Sequence, residues 1–584
     1  MENTVNIKIN GFDYQVPAGS TILEAAHIAG IEIPTLCFLK DINAIGACRI
    51  CVVEVKGARS LVAACVFPVN EGMEIFTNSA KVIESRKTTL KLILSTHKKE
   101  CLSCVRSGNC ELQKLCKDYG IEDANAFAGE MKSYKIDASA THMYRDNEKC
   151  ILCRRCVAAC EKVQGVSVIG ANARGFDTHI GSPFEYELGN VGCISCGQCI
   201  TACPTGALSE RDDTQKVFDA LADPEKIVVV QTAPSVRVGL GEEFGYEMGS
   251  VVTGKMVRAL RMLGFDKVFD TNFTADLTIW EEATELLGRL GKKENLPLIT
   301  SCSPGWIKYC ETYYPEFIPN LSSCKSPQGM FGAVAKTYYA EKLGVDPSKI
   351  FSVSVMPCTA KKFEAERLDH TAVKGLADVD VSLTVRELAR MIKKAGINFN
   401  AIPDDEFDAP FGLGSGAGTI FGATGGVMEA ALRFAYEAVM GTELPSYDVF
   451  KDVRGVEGVK EASYELKDGF VLKVAVASGL ANAKKLLEMV KSGEKEYHFI
   501  EIMACPGGCV NGGGQPIVPA SFKHFNDVRA IRAAGLYKDD ENLPVRKSQD
   551  SEDVKAIYKE FFGEPGSHKA HEILHTAYTK RDIY

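Results

Sequence analysis

The first residues of the chain alternate between apolar and polar side chains. The stretch NIKINGFDYQV (6–16) alternates on both sides of Asn10-Gly11, a dipeptide that favours the tight turn of a β-hairpin. A helix is predicted in TILEAAHIAGI (21–31), where Thr21 and Glu24 have the spacing of a capping box. The pattern therefore predicts a small domain made of a hairpin, a helix and a following loop.

Further along the chain the periodicity changes twice. A lysine-rich stretch, AKVIESRKTTLKLILSTHKK (80–99), has helical spacing. From about residue 213, apolar runs such as KIVVVQTAP (226–234), LPLITSC (296–302) and KIFSVSVMPC (349–358) alternate with helical segments. This alternation predicts α/β structure with a largely parallel sheet. Two of these runs end at Cys302 and Cys358, and ligands of such sheets bind at the carboxyl ends of the strands.

Length and charge narrow the class of protein. The 584 residues are too many for one compact core, and 46% hydrophobic with 24% charged residues is an ordinary globular composition. The net charge of −9 disfavours nucleic-acid binding. No apolar run approaches the ~20 residues of a membrane span, and the start MENTVNIKINGF lacks the features of a signal peptide. We expect a cytoplasmic protein that binds neither membranes nor nucleic acid.

The 22 cysteines change this picture, because they are clustered. In a cytoplasmic protein such clusters indicate metal or catalytic sites rather than disulfides. The first group is Cys37, Cys48, Cys51 and Cys65. Four thiolates on loops can hold a 2Fe–2S cluster, and a zinc site with the same ligands is the alternative.

The second group ends the lysine-rich helical stretch with H-x3-C-x2-C-x5-C. Its members are His97, Cys101, Cys104 and Cys110. We expect His97 and Cys101 to lie one helical turn apart. Three thiolates and an imidazole suit either an iron–sulfur cluster or zinc.

The third group is an internal repeat of C-x2-C-x2-C-x3-C. The first copy is Cys150, Cys153, Cys156 and Cys160, and the second is Cys193, Cys196, Cys199 and Cys203, followed by proline. This is the bacterial ferredoxin spacing for two 4Fe–4S clusters, in which the fourth cysteine of each copy ligates the other cluster. Cys203 is therefore assigned to the first cluster and Cys160 to the second.

Four segments of the last part of the chain carry the remaining chemistry. They are TSCSPGW (300–306), MPCTAKKFE (356–364), GSGAGTIFGATGG (414–426) and EIMACPGGCVNGGGQP (501–516). Together with the cysteine groups before them, these segments closely resemble the FeFe hydrogenases over essentially the whole chain. The resemblance implies an H-cluster, which is a 4Fe–4S cluster joined through a cysteine thiolate to a diiron unit with CO, cyanide and azadithiolate ligands.

The resemblance also implies roles for individual residues. Cys358, Cys505 and Cys509 would ligate the H-cluster, with Cys509 as the bridging thiolate, and Lys361 would hydrogen-bond a cyanide. Other positions around the diiron unit match Pro234, Ser235, Gln328 and Met356. A proton route would run through Cys302, Glu282, Ser322, Glu285 and Arg289. Glu282 and Glu285 lie three residues apart, which places them on one helix face.

The chain departs from the family at one position. The family motif is T-S-C-C-P, so Ser303 stands where the family has a ligand to the 4Fe–4S part of the H-cluster. Three interpretations are open: Cys302 ligates the cluster and Ser303 serves the proton route; Ser303 ligates iron and Cys302 remains the relay; or Ser303 is inert and the site is impaired. We expect the first, because a cluster requires thiolate more strictly than a relay requires a thiol.

The predicted fold is a multidomain α+β chain. It comprises a β-grasp 2Fe–2S domain (1–80), a His/Cys3 4Fe–4S domain (81–140), a ferredoxin-like domain with two 4Fe–4S clusters (141–212) and a large α/β H-cluster domain (213–584). The HEILH stretch (571–575) resembles a zinc-protease motif, but an ordinary C-terminal helix is expected there. Cys116, Cys310 and Cys324 are expected to be buried apolar cysteines.

The predicted function is the interconversion of protons, electrons and H2. Electrons would pass through one 2Fe–2S and three accessory 4Fe–4S clusters in single file, to or from ferredoxin or flavin- and NAD(P)-binding partner subunits. No nucleotide motif is found, so the chain alone is not expected to reduce NAD(P). The alternatives are an electron-transfer subunit like that of complex I, and a hydrogenase-like sensory or assembly protein.

Overall fold

The computed structural model describes residues 3–412, 414–456 and 458–584. At its N-terminus five strands form a mixed sheet in the spatial order β2-β1-β5-β3-β4. The strands are β1 (Thr4–Ile9), β2 (Phe12–Pro17), β3 (Val52–Val55), β4 (Val62–Ala63) and β5 (Glu74–Phe76). The predicted hairpin is confirmed, since β1 and β2 pair antiparallel around Asn10 and Gly11, whose φ angles are 50° and 90°. The predicted capping box opens helix α1 (Ile22–Ile28).

The segment after this sheet contains little regular structure. Its elements are the helices α2 (Ala80–Ser95), α3 (Glu111–Asp118), α4 (Arg155–Ala158) and α5 (Gln198–Ala202), and the strands β6 (Met143–Arg145), β7 (Gly170–Asn172), β8 (His179–Gly181) and β9 (Leu208–Glu210). Strands β6 and β9 pair with each other, as do β7 and β8. Cysteines contribute to the small core here, including the buried Cys156, Cys199 and Cys203. The cysteine loops are thus part of the packing.

The prediction that His97 and Cys101 share a helical turn is wrong. Helix α2 ends at Ser95, whose hydroxyl donates to the Leu92 carbonyl over 2.7 Å. A serine that bonds back to the preceding turn competes with continued helix. His97 therefore lies beyond the helix, in an irregular loop that leads to Cys101.

The larger, C-terminal part contains two four-stranded sheets. The first has the order β11-β10-β13-β14 and is entirely parallel, and the second, β12-β17-β16-β15, is parallel except for β15. The strands are β10 (Ile227–Thr232), β11 (Lys267–Asp270), β12 (Leu298–Ile299), β13 (Ile350–Met356), β14 (Val381–Thr384), β15 (Val459–Glu465), β16 (Val471–Ser478) and β17 (Phe499–Met503). The largely parallel α/β structure predicted for this region is confirmed.

Fifteen α-helices of the described residues cover these sheets and fill the space between them. They are α6 (Thr214–Leu221), α7 (Thr253–Leu263), α8 (Thr271–Lys292), α9 (Pro304–Tyr313), α10 (Pro327–Val334), α11 (Ala340–Leu343), α12 (Ala360–Ala365), α13 (Val385–Lys394), α14 (Gly416–Ile420), α15 (Gly426–Met440), α16 (Leu480–Lys491), α17 (Ala520–Lys523), α18 (Val528–Asn542), α19 (Glu552–Ile557) and α20 (His568–Leu574). The C-terminal helix expected at HEILH is confirmed. Of the helices in the part of the chain that is described, none is long and apolar enough to span a bilayer.

The long helix α8 positions the site that follows. It contacts α10, α14 and α15, and most of its length is buried. Four strands, β10, β12, β13 and β17, direct their carboxyl ends towards the same region beside this helix. The loops after β12, β13 and β17 carry three of the four sequence segments singled out above, and the loop after β10 carries Pro234 and Ser235. The fourth, glycine-rich segment forms α14 and the turn after it.

Candidate functional site

One cavity lies where the four strand ends meet. It encloses about 800 Å³ of space not filled by atoms. Ten residues predicted around the cofactor line it: Pro234, Ser235, Cys302, Ser303, Gln328, Met356, Cys358, Lys361, Cys505 and Cys509. The position agrees with the general rule that ligands of parallel α/β sheets bind at the carboxyl ends of the strands.

Three of the thiols in this cavity come from two loops. Cys358 follows β13, and Cys505 and Cys509 follow β17. Gly508 has a φ of +91°, and a Cβ there would lie 2.7 Å from the backbone nitrogen of Thr424, so glycine is required for this loop to pass. Burial raises the pKa of all three thiols, and the charge of Lys361 opposes this at Cys358 and Cys509. Buried thiols gathered beside a cation are suited to binding metal as thiolates.

Lys361 is held by three oxygen atoms. Its Nζ donates to Glu364 Oε2 over 2.8 Å, to Ser326 Oγ over 2.7 Å and to the carbonyl of Cys302 over 3.2 Å. The Glu364 carboxylate also accepts from Gln328 Nε2 over 2.9 Å. The lysine therefore lies at the cavity wall with its charge already balanced.

The rest of the wall fits a bulky inorganic group. Pro234, Met356 and Phe421 supply apolar surface. Ser235 is fully buried, lines the cavity, and its hydroxyl has no hydrogen-bond partner. An unpaired buried hydroxyl is costly, so a cofactor atom that accepts its hydrogen bond would satisfy it. The residues present therefore fit the H-cluster that the resemblance implies.

Cys302 and Ser303 face different neighbours. The Ser303 hydroxyl accepts the N–H of Ala504 over 3.3 Å, next to the loop that carries Cys505. Burial raises the pKa of the Cys302 thiol, and the negative charge of the nearby Glu282 carboxyl raises it further. The serine thus lies against the loop of Cys505, and the cysteine lies near the carboxyl of Glu282.

The acidic side chains form a chain of contacts from the cavity to the surface. Glu282 is 2% exposed, and burial raises its pKa to about 8. Ser322 hydrogen-bonds the Glu282 carboxyl and lies 3.3 Å from Glu285 Oε2. The other oxygen of Glu285 accepts from Arg289 over 2.6 Å. A carboxyl whose pKa lies near neutrality can accept and donate protons at working pH.

The first cysteine group is gathered in the N-terminal domain. The sulfur atoms of Cys51 and Cys65 are 3.3 Å apart. Hydrogen bonds with the thiols of Cys48 and Cys65 lower the pKa of Cys37. The four predicted ligands therefore meet at one point.

The second group contains a buried histidine. Burial lowers the pKa of His97 to about 4, and its Nδ1 has no hydrogen-bond partner. A neutral imidazole with a free nitrogen is the form that ligates metals. The charge of Cys104 contributes to the raised pKa of Cys110. The charges of Cys101 and Cys110 both contribute to the raised pKa of Cys116. The three predicted thiol ligands therefore lie close together.

The two copies of the ferredoxin repeat are arranged crosswise. Cys150, Cys153, Cys156 and Cys203 line one small cavity. Cys160 lies near Cys193 and Cys199: the charge of Cys193 contributes to the raised pKa of Cys160, and the charges of both Cys160 and Cys193 contribute to the raised pKa of Cys199. Each fourth cysteine thus lies with the first three of the other copy, as the spacing predicts.

Close contacts join the cysteine sites to one another and to the cavity. Cys196 lines the cavity at the strand ends, and the charge of Cys505 contributes to the raised pKa of Cys196. Asn43 Nδ2 donates to the carbonyls of Cys37 and Cys153 over 2.7 and 3.1 Å. The His/Cys3 loop reaches the same four-cysteine site, formed by Cys203 with the first three cysteines of the first copy, through Arg106, which donates to the Cys203 carbonyl over 2.8 Å. Two sites therefore contact the same third site, so these contacts are branched, and the single file of clusters stays a prediction.

Sequence reasoning missed two carboxylates that organise the cavity. Glu364 lies three residues after Lys361 on one helix, and that spacing was a usable signal. Glu501 lies inside the apolar strand β17 and accepts the N–H groups of Gly425 and Met428, both over 2.7 Å. A single acidic residue in a buried strand was the only sign of this role.

Comparison with known families assigns the parts of the chain. Residues 226–513 match the C-terminal domain of the iron-only hydrogenase large subunit, and residues 526–581 match the iron hydrogenase small subunit. Residues 2–80 match a 2Fe–2S cluster binding domain, 86–125 the iron–sulfur binding region of NADH-ubiquinone oxidoreductase G, and 149–207 a 4Fe–4S dicluster domain. The NADP-reducing hydrogenase subunit HndD of Solidesulfovibrio fructosivorans is 48% identical over 99% of both chains.

The chain belongs to the iron-only hydrogenases. Iron hydrogenase 1 of Clostridium pasteurianum is 46% identical, over 98% of this chain and all of that one. A solved structure of apo FeFe-hydrogenase HydA1 from Chlamydomonas reinhardtii has 43% identity and a TM-score of 0.55, covering 63% of this chain and 99% of that one. The protein is an iron hydrogenase with 2Fe–2S, 4Fe–4S and H-cluster domains, as predicted.

Proposed function

We propose that this hydrogenase interconverts H2 with protons and electrons in the cavity at the strand ends. The observation that carries the proposal is the shared lining: Cys358, Cys505 and Cys509 meet there with Cys302 at the start of an acidic chain, and with Cys196 of an accessory site. Protons and electrons thus reach one cavity by two separate sets of residues.

The H-cluster would be held by Cys358, Cys505 and Cys509, with Cys509 as the bridging thiolate. When bound, its diiron unit with CO, cyanide and azadithiolate ligands supplies the site at which H2 is split or formed. The apolar wall excludes water from this site, and Ser235 offers a hydroxyl to the cofactor. One 2Fe–2S cluster in the first cysteine group and three 4Fe–4S clusters in the others complete the set.

Ser303 is proposed to take the position of the fourth ligand. Its hydroxyl lies against the loop of Cys505, whereas Cys302 lies beside Glu282. These contacts favour the second of the three interpretations, in which Cys302 keeps the relay, over the first. Serine is a harder and more basic ligand than thiolate, so the cluster potential should differ from that of a four-thiolate cluster.

Proton transfer is proposed to run from Cys302 through Glu282, Ser322 and Glu285 to Arg289. Glu282 is buried and its carboxyl is close to half-protonated at pH 8. Arg289 also donates to the carbonyls of Asn320 and Leu321, which fixes the outer end of the route on α8.

The branched arrangement is proposed to give two inlets for electrons. Electrons would enter at the 2Fe–2S site or at the His/Cys3 site, and both paths would lead to the cluster held by Cys153. From there the electrons would pass through the second ferredoxin cluster to the cavity. The HndD relative is named as a subunit of an NADP-reducing hydrogenase, which favours flavin- and NAD(P)-binding partner subunits over ferredoxin alone. Cytoplasmic location stays a prediction.

The proposal is tested by assaying the anaerobic holoprotein for H2 evolution from reduced methyl viologen, from reduced ferredoxin and from NADPH. We expect evolution with viologen and none with NADPH until partner subunits are added. H2 evolution absent with every donor, in protein with its full iron content, would contradict the proposal and favour the sensory or assembly alternative.

A further inference from the structure

The C-terminal tail places a histidine at the outer part of the acidic chain. His575 follows helix α20 and forms an antiparallel bridge with Cys324. The Thr576 N–H donates to the Ser323 carbonyl over 2.8 Å, which continues this pairing. Backbone bonds therefore fix which side chains of the tail and of the 322–324 segment lie side by side.

Three ligand-type side chains converge there. Glu285, Cys324 and His575 each offer one ligand atom, and these atoms lie within 4.8 Å of one another. The Cys324 sulfur is 4.0 Å from Glu285 Oε2. Ligands of a tetrahedral zinc site lie roughly 3–4 Å apart, so the side chains need to close by about an ångström. A thiolate, a carboxylate and an imidazole would balance the charge of Zn²⁺.

A second carboxylate orients the histidine. His575 Nε2 lies 3.0 Å from Oε2 of Glu281, which is buried and also accepts the Gly566 N–H and the Tyr558 hydroxyl. With Nε2 bonded to Glu281, Nδ1 faces the cluster, 2.8 Å from Ser323 Oγ. A carboxylate behind a ligating histidine is the usual arrangement around protein-bound zinc.

Glu285 can join such a site without losing its arginine. Arg289 bonds Oε1 of Glu285, while the oxygen nearest Cys324 is Oε2. The side chains of Glu285 and His575 are 16% and 7% exposed, so the cluster is open to solvent at one edge.

We propose that Glu285, Cys324 and His575 form a binding site for a thiophilic divalent cation such as Zn²⁺. Binding replaces the thiol proton of Cys324, so one proton is released as the sulfur–metal bond forms. A cation on Glu285 withdraws that carboxylate from proton transfer and slows H2 turnover reversibly. The slowing, unlike the binding, rests on the proton route proposed above.

The test uses the anaerobic holoenzyme with its iron content measured before and after zinc treatment. One equivalent of Zn²⁺ is added, free metal is removed by gel filtration, and the zinc X-ray absorption edge is recorded, because that signal is distinct from iron. We expect one retained zinc per chain with one sulfur at about 2.3 Å and nitrogen or oxygen at about 2.0–2.1 Å. H2 evolution should fall at least about tenfold and recover with EDTA.

Variants locate the site. Cys324→Ser and His575→Gln should each abolish zinc retention. His571→Gln should leave it intact, because His571 is an exposed neighbour whose ring centroid lies 4.1 Å from that of His575 and which is not among the three ligands. Inhibition is compared with each variant's own rate without zinc. Retention undiminished in both Cys324→Ser and His575→Gln, or zinc without a sulfur ligand, would overturn the proposal. Zinc bound with the expected ligands but without inhibition would support the site and reject the route through Glu285.

Discussion

The two ends of this hydrogenase are stabilised in different ways. Residues 3–212 contain short strands and long cysteine loops, and their small cores include the cysteines themselves. The region from 213 onward contains two largely parallel sheets and large cores of aliphatic and aromatic residues. In the first region the predicted cluster ligands are themselves part of the core. In the second region the cavity lies at the edge of cores built mainly of other residues.

This difference separates conduction from catalysis. A loop that wraps a cluster places its thiolates close to the next loop, which suits electron transfer between neighbours. A cavity at strand ends fixes side chains from four distant segments with little freedom, which suits chemistry. Cys196 belongs to the first region and lines the cavity of the second, so the two regions are in contact there.

The largest expected effect comes from iron removal. Protein produced without iron–sulfur clusters should lose protected structure throughout residues 3–212, because metal binding and folding are coupled in small sites of this kind. Residues from 213 onward should remain folded. Limited proteolysis with mass spectrometry of the fragments measures this loss of structure. Equal digestion of both regions would contradict the proposal that only the first region depends on its clusters for folding.

A large effect on rate, without loss of structure, is expected from Glu285→Gln. An amide cannot relay protons, so H2 evolution should fall about 10²–10⁴-fold. Reduction of the accessory clusters by dithionite, followed by visible absorption, should be unchanged. Glu294→Gln is the matched control and should keep the parent rate, because Glu294 is exposed and lies just after helix α8, which carries Glu285. Equal losses in both variants would mean that Glu285 acts only through folding.

A more local effect is expected from Cys203→Ser in the conducting region. Cys203 lines the cavity with Cys150, Cys153 and Cys156, so its loss should remove or convert one 4Fe–4S cluster. Low-temperature EPR and iron analysis measure this. Cys310→Ser is the matched change in the catalytic region, where Cys310 is a buried core cysteine, and it should leave every cluster signal intact. A lost cluster in Cys310→Ser would contradict the assignment.

The smallest expected effect is the pH dependence of the catalytic region's stability. Burial raises the pKa of Asp276 to about 6, of Glu501 to about 7 and of Glu282 to about 8. A carboxyl whose pKa is raised in the folded state contributes stability at low pH that is lost as the pH rises through the folded pKa. The melting temperature of this region should therefore fall by a few degrees between about pH 4 and 8, the range between the ordinary and the raised pKa values.

Glu501→Gln sharpens that measurement. The amide removes one titrating group, so the decline between about pH 4.5 and 7 should become shallower. Lys460→Gln, which changes a charge outside the cavity, is a suitable control. A melting temperature that rises with pH in the parent protein would show that these carboxyls are not buried as described.

Local features of the fold were predictable, and long-range partners were not. The hairpin at Asn10-Gly11, the capping box at Thr21 and the crossed ferredoxin repeat depend on neighbours in sequence. The end of α2 at Ser95, the role of Glu501 and the branch through Asn43 depend on side chains brought together by folding. His575 shows the limit well: HEILH predicts a helix correctly, but its contact with Cys324 depends on a backbone bridge between segments far apart in sequence.

The most direct test of an H-cluster in the strand-end cavity is an infrared spectrum of the anaerobic protein with its diiron cofactor installed, recorded under argon and then under H2. We expect bands from CO and cyanide that shift when H2 is admitted, and a displaced set of bands in Ser303→Cys. Absence of such bands in the iron-loaded protein would contradict the assignment of this cavity as the site of H2 chemistry.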